Sequence, residues 1–213
     1  VSELHFWTGE ILEVTVPIIA ILGSDCAVGK RTTARFIMEI CRSRGIKTEM
    51  IYTGQTGWMQ GYSHGFIFDA TPNDFVSGEI ERVVLECVDV SKPELILLEG
   101  QSSLRNPSGP CGSEFILSGN AKGVVLIHPP GRKHFVDMEE LGFQIPDIED
   151  EIELIQKYGS KVIGVGLNEE GCDMGRLRSI QQAISKKMNI PVVLPLTDGV
   201  NEIVDGIQTF MNQ

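Results

Sequence analysis

The sequence predicts an α/β domain: a three-layer, doubly wound, mostly parallel sheet with helices on both faces. Three observations carry that prediction. Apolar runs at Ile18 to Leu22, Leu95 to Leu98, Val124 to Ile127 and Val162 to Leu167 lack polar alternation, as expected of strands covered on both sides. Segments with apolar residues at helical spacing separate these runs. The first run leads through a glycine-bounded loop into Lys30 and a helical segment, the order that wraps backbone N–H groups around a phosphate at a helix N-terminus.

That loop makes the sheet one of the P-loop NTPase type. Its phosphate-binding candidates are Gly23, Ser24, Asp25, Cys26, Ala27, Val28, Gly29, Lys30, Arg31, Thr32 and Thr33. Gly23 and Gly29 let the backbone approach closely, and Lys30 adds a full positive charge. The loop departs from the usual motif at two places. Ser24 stands where the first glycine is expected, and Arg31 replaces the Ser or Thr whose hydroxyl holds Mg²⁺. Thr32 does not substitute for that hydroxyl, because one helical step turns the side chain by about 100°. Phosphate binding is therefore expected and metal-assisted phosphoryl transfer is disfavoured; no metal site is expected.

In chain order, residues 1–16 carry partly alternating Phe6, Trp7, Leu12, Val14 and Val16 and read as a linker or an edge strand. The phosphate loop opens a helix from Lys30 to about Arg44, stopped at Gly45. A strand from Lys47 to Tyr52 ends in Thr53 to Gly61, a loop with three glycines that faces a ligand or is merely flexible. Asn73 or Asp74 caps the next helix, where Val76, Ile80, Val83, Val84 and Cys87 share a face. Strands then deliver Glu99 to Ser103, His128 to Arg132 and Asn168 to one edge. Helices with Ile148, Ile152 and Ile155, from Gly175 to Met188, and with Val200 to Phe210 complete the pattern, around a short strand at Val192 to Leu194.

A length of 213 residues suits one large domain, and a net charge of −11 argues against nucleic-acid or anionic-membrane partners. Five cysteines, odd in number and without a CxxC pair, read as reduced thiols of a cytoplasmic protein. The longest apolar run, Val14 to Leu22, is broken by Thr15 and Pro17 and is too short to span a bilayer. A start at Val instead of Met suggests a fragment or processed product.

Several candidates for chemistry lie at strand ends, where ligands of such sheets bind. Glu99 resembles a Walker B acid that could hold a metal water or act as a general base, against an ordinary strand-end cap. His128 has a proton affinity suited to proton transfer, against a packed or solvated histidine. Arg105 and Arg132 could clamp carboxylates or phosphates with their two-pronged guanidinium groups, against surface arginines. Asp25 would repel a phosphate; it binds an amine or caps the loop.

Gly23-Ser-Asp-Cys-Ala-Val-Gly-Lys-Arg-Thr-Thr-Ala34, with Tyr-Thr-Gly-Gln-Thr-Gly, Leu-Glu-Gly-Gln-Ser-Ser, His-Pro-Pro-Gly-Arg and Pro-Leu-Thr-Asp-Gly, resembles the carboxyl-terminal P-loop domain of a bacterial and archaeal family of long-unknown function. Its characterised members are D-glutamate N-acetyltransferases. The resemblance implies acetyl-CoA as acyl donor, the amine of D-glutamate or a similar acidic amino acid as acceptor, and a preceding Rossmann-like domain that this chain lacks. Residues 17–213 would then be the P-loop domain. By position, Glu99 or His128 would be the base, N–H groups near Gln101 or Gly57 would stabilise the oxyanion, and Gln55, Gln101, Arg105 and Arg132 would face the substrate.

The same loop is similar to that of dethiobiotin synthetase. That resemblance implies an ATP- and Mg-dependent ligase in which Asn168 reads the adenine, with Arg31 against it. A nucleotide-binding regulatory module without turnover is the third reading. Self-association through exposed motif loops is compatible with all three.

Overall fold

The computed structural model describes residues 3–213. In chain order it comprises β1 (Ile18–Gly23), α1 (Lys30–Ser43), β2 (Thr48–Tyr52), α2 (Gln55–Met59), β3 (His64–Gly65), α3 (Asn73–Ser91), β4 (Leu95–Glu99), α4 (Ser113–Leu117), β5 (Gly123–His128), α5 (Ile148–Lys157), β6 (Lys161–Leu167), α6 (Met174–Met188), β7 (Val192–Val193) and α7 (Asn201–Met211). The seven strands form one sheet in the order β3-β2-β4-β1-β5-β6-β7, and every pairing between them is parallel.

All six residues of β1 are buried, which is why its sequence is a continuous apolar run. Its side chains still alternate between two cores. Ile19 and Ile21 pack with Ala34, Ile37 and Cys41 of α1 and Ile203, Val204 and Ile207 of α7. Ile18, Ala20 and Leu22 pack on the other face with α3, α4, α5 and α6. The result is the three-layer, doubly wound sheet of the P-loop NTPase type that the sequence predicts. Its parallel sense places the turns after β1, β4, β5 and β6 at one edge.

The structure departs from the sequence reading at its weakest signals. β3 is a seventh strand, two residues long and paired through Ile51 and His64, too short to leave a periodic pattern. The glycine-rich loop from Thr53 contains the five-residue α2, and α4 is a second helix of that length. Pro72 holds the N-cap position of α3, with no side-chain cap bond, so Asn73 and Asp74 lie in the first turn instead of capping it. Residues 3–16 form no edge strand; Glu10–Glu13 is a 3₁₀ turn.

Residues 5–11 form a strap across α3, held by two buried carboxylates. Glu81 accepts hydrogen bonds from the Thr8, Gly9 and Ile11 N–H groups at 2.6, 2.8 and 3.2 Å and from the Thr8 hydroxyl at 3.0 Å. Glu79 accepts the His5 N–H at 3.1 Å and pairs with Arg82 at 2.8 Å. Gly78 lies directly beneath the His5 carbonyl, where a Cβ would collide, and Ile11 is fully buried. Among the described residues, no helix is long and apolar enough to cross a membrane.

Candidate functional site

The phosphate loop turns at Gly29, whose φ of 97° is costly for any other residue, and Lys30 begins α1 with no side chain capping its first N–H groups. Packing of the loop itself also favours glycine at Gly23: a Cβ there would stand 2.8 Å from Val28 Cγ2. The Ser24 N–H donates to the Ile127 carbonyl at 3.0 Å, and Ser24 Oγ lies 2.8 Å from His128 Nδ1.

Asp25 is fully buried, and its charge is neutralised within the protein. Its carboxylate meets Arg132 Nη1 at 2.7 Å and accepts the Cys26 and Val136 N–H groups at 2.7 and 2.9 Å. Arg132 also donates to the Cys26 carbonyl at 2.9 Å. The sequence offers Asp25 as an amine ligand or a loop cap, and the geometry is that of the cap. Lys30 Nζ donates to the carbonyls of Asp25 and Ser102 at 2.7 and 2.8 Å. Burial pushes its ammonium down to about 8, so it stays largely charged at neutral pH.

Over this loop lies a cavity of about 340 Å³, lined by residues 26–32, Arg35, Gln60 and Glu99 to Ser102. Lys30, Arg31 and Arg35 supply three cations against the one acid, Glu99, the local positive feature that an anionic ligand of an acidic protein needs. Arg35 and Gln60 are absent from the sequence-based candidates; Arg35, four residues after Arg31, was findable from helical spacing. Arg31 Nε meets Glu99 Oε1 at 2.9 Å, and the other Glu99 oxygen accepts the Thr53 N–H at 3.2 Å. The magnesium site of this fold type needs a hydroxyl at position 31 and a free carboxylate opposite. The residues present do not fit that ion, and among the described residues no group of three or more His, Cys, Asp or Glu could hold another.

Beside the cavity, across the start of α1, is a largely apolar slot of about 220 Å³ lined by Val28, Ile127, Leu167, Pro195 and Leu196 together with Thr32, Thr33, Asn168 and Glu169. Asn168 is also tied into the phosphate loop. Its amide donates to the Val28 carbonyl at 3.0 Å and accepts the Glu170 N–H at 2.9 Å, so it braces the loop.

The expected convergence on one site is only partial, because the strand-end residues divide between separate spaces. His128, Arg132, Lys133, Asp147, Glu149 and Arg176 line a different cleft of about 650 Å³, apart from Glu99. Burial pushes His128 down to about 4, leaving a neutral, weakly basic imidazole at physiological pH. The two arginines expected to form one clamp each have a partner of their own: Arg132 holds Asp25, and Arg105 holds the buried Glu151 at 2.6 Å. Gln101 lines the cavity and donates to Thr53 Oγ1 at 2.9 Å, whereas Gln55 is exposed outside it. The Gly57 N–H donates to the Gly54 carbonyl at 3.1 Å and is not free for an oxyanion.

Comparisons with known proteins agree with this architecture. Residues 5–204 match the model of a P-loop domain described as a domain of unknown function, DUF1611_C. Two curated D-glutamate N-acetyltransferases are similar over 193 residues, one from Pseudoalteromonas sp at 29% identity and one from Tritonibacter scottomollicae at 28%. Each alignment covers 87% of this chain but only 56% of the relative, so the chain spans little more than half their length. A crystal structure of a DUF1611 family protein from Anabaena variabilis superposes with a TM-score of 0.88 at 22% identity, covering 98% of this chain and 62% of the other.

Proposed function

Because this chain belongs to the DUF1611 family of P-loop domains, we propose that it is the phosphate-binding domain of an N-acyltransferase. In this reading it moves acetyl from acetyl-CoA to the amine of D-glutamate or a similar acidic amino acid. The observation that carries the reading is the cation-lined cavity beside an apolar slot at the start of α1. An adenosine diphosphate moiety, the part of CoA remote from its thiol, matches that pair: adenine in the slot, diphosphate over the Gly29 and Lys30 N–H groups. ATP shares the moiety, but the Arg31–Glu99 pair disfavours Mg-dependent chemistry. The acceptor is taken from the names of the two curated relatives.

In the proposed reaction the neutral amine attacks the thioester carbonyl. A C–N bond forms, the C–S bond breaks, and the departing thiolate takes up the proton lost by the nitrogen, leaving an N-acetyl amino acid and free CoA. Lys30 and the loop N–H groups bind and orient the donor; they do not touch the reacting carbon.

The test is thiol release from acetyl-CoA by the natural full-length protein, presented with a panel of D- and L-amino acids. Turnover with D-glutamate well above L-glutamate is the expected result, and absence of thiol release with every amine refutes it. A second reading, a nucleotide-binding regulatory module, is favoured by two observations: both Glu99 oxygens are engaged, and His128 is a weak base. Tight ADP binding without thiol release would select it.

A further inference from the structure

We propose that the Arg31 guanidinium takes the place of the magnesium ion in this P-loop, so that the cavity binds a diphosphate ligand without a divalent cation. The inference rests on the proposed diphosphate ligand, but not on acyl transfer.

Three features of the cavity support it. The first is position: Arg31 directly follows Lys30 in the first turn of α1, where a metal-binding P-loop carries its hydroxyl. The second is its partner. Glu99 ends β4, next to β1 in the sheet, with Ile21 opposite it in register. That is the place of the acid that completes a magnesium site, and here its 3%-exposed side chain is paired with Arg31 Nε. The third is spare donor capacity. Arg31 gives Glu99 only its Nε, its two terminal nitrogens have no hydrogen bond among the described residues, and the residue lines the cavity.

Charge accounting agrees. Arg35 lines the same cavity one turn later, and its contact with Glu39 is a long 3.5 Å between exposed side chains. Arg31 and Arg35 together bring two positive charges, as many as the ion they would replace. A guanidinium also binds two phosphate oxygens in a planar fork, which a hydrated ion does not.

The experiment is calorimetric titration of the intact protein with ADP, in EDTA and in excess Mg²⁺. The wild type should bind at least as tightly in EDTA as in Mg²⁺. Arg31→Thr restores the motif hydroxyl. It should lose on the order of ten- to a hundredfold in EDTA and recover part of that loss in Mg²⁺. Arg31→Lys keeps the charge without the fork; it should weaken binding without making it respond to Mg²⁺, and it serves if the threonine variant does not fold. Glu99→Gln discriminates by sign. Removing a carboxylate from a metal site weakens Mg-dependent binding, whereas removing it from beside Arg31 should tighten ADP binding in EDTA. Wild-type binding that requires Mg²⁺, no ADP binding at all, or Arg31→Thr as tight as wild type in EDTA each overturns the proposal. Metal-free ADP binding by a protein that releases no thiol refutes only the acyltransferase reading.

Discussion

Asp25→Ala tests whether the phosphate loop is held by its buried ion pair. The carboxylate is fully buried, and the mutation strands the Arg132 guanidinium and removes the acceptor for two N–H groups. Breaking a buried pair from one side costs about 3–5 kcal/mol. Arg132 retains 22% exposure and has Glu170 at 3.8 Å as a substitute partner, which favours the lower end, about 3 kcal/mol. In a domain of this size that corresponds to a fall of roughly 6–12 °C in Tm. Thermal and urea unfolding of the variant measure it, and Asp25→Ala/Arg132→Met should recover part of the loss, because the orphaned charge is gone. A loss below about 1 kcal/mol, or a double variant no more stable than the single one, would refute the reasoning.

Two further predictions concern protons. Burial holds Lys30 near 8, below its ordinary 10.5, so the free protein loses this charge as pH rises through about 8. Affinity for ADP should then fall by up to about tenfold per pH unit above that point, with proton uptake on binding; a flat profile between about pH 7 and 9.5 contradicts it. For Glu81, burial alone would raise the carboxyl, but hydrogen bonds from Thr8, Ile11 and Gly9 outweigh it and hold it below its ordinary 4.5. A carboxyl lowered by folding stabilises the fold fully above the unfolded value and loses that contribution as pH falls through the folded one. Glu81→Gln should cost about 1–3 kcal/mol at neutral pH, with the difference from wild type closing in acid; a pH-independent difference contradicts it.

What was legible in the sequence follows from how local each signal is. The phosphate loop spans consecutive residues, so Gly29, Lys30 and the displaced hydroxyl could be read directly. Glu99 was legible as the polar end of a buried apolar run, and β1, β4, β5 and β6 as runs without alternation. The partners were not. Asp25 and Arg132 are 107 residues apart, and Glu81 reaches Thr8 across 73. Nothing in a helical segment distinguishes an acid that will be buried by a distant strap from one that will face water. The same limit hid the division between cavities: strand ends predict an edge, whereas packing of the loops decides that Glu99 and His128 face different spaces.

The position of β1 has a consequence for synthesis. Among the seven strands it is the earliest in the chain, yet its neighbours are β4 and β5, with Ile18 opposite Ile96 and Ile19 opposite Gly123. The centre of the sheet therefore cannot close until the chain up to His128, the end of β5, has left the ribosome. The loop after β1 waits longer still, because the groups that fix Ser24 and Asp25 are His128, Arg132 and the Val136 N–H. A nascent chain halted before Val136 carries the whole phosphate-loop sequence without the contacts that shape it. In the meantime, the apolar β1 is exposed as an unpaired edge that invites capture by chaperones or by other nascent chains.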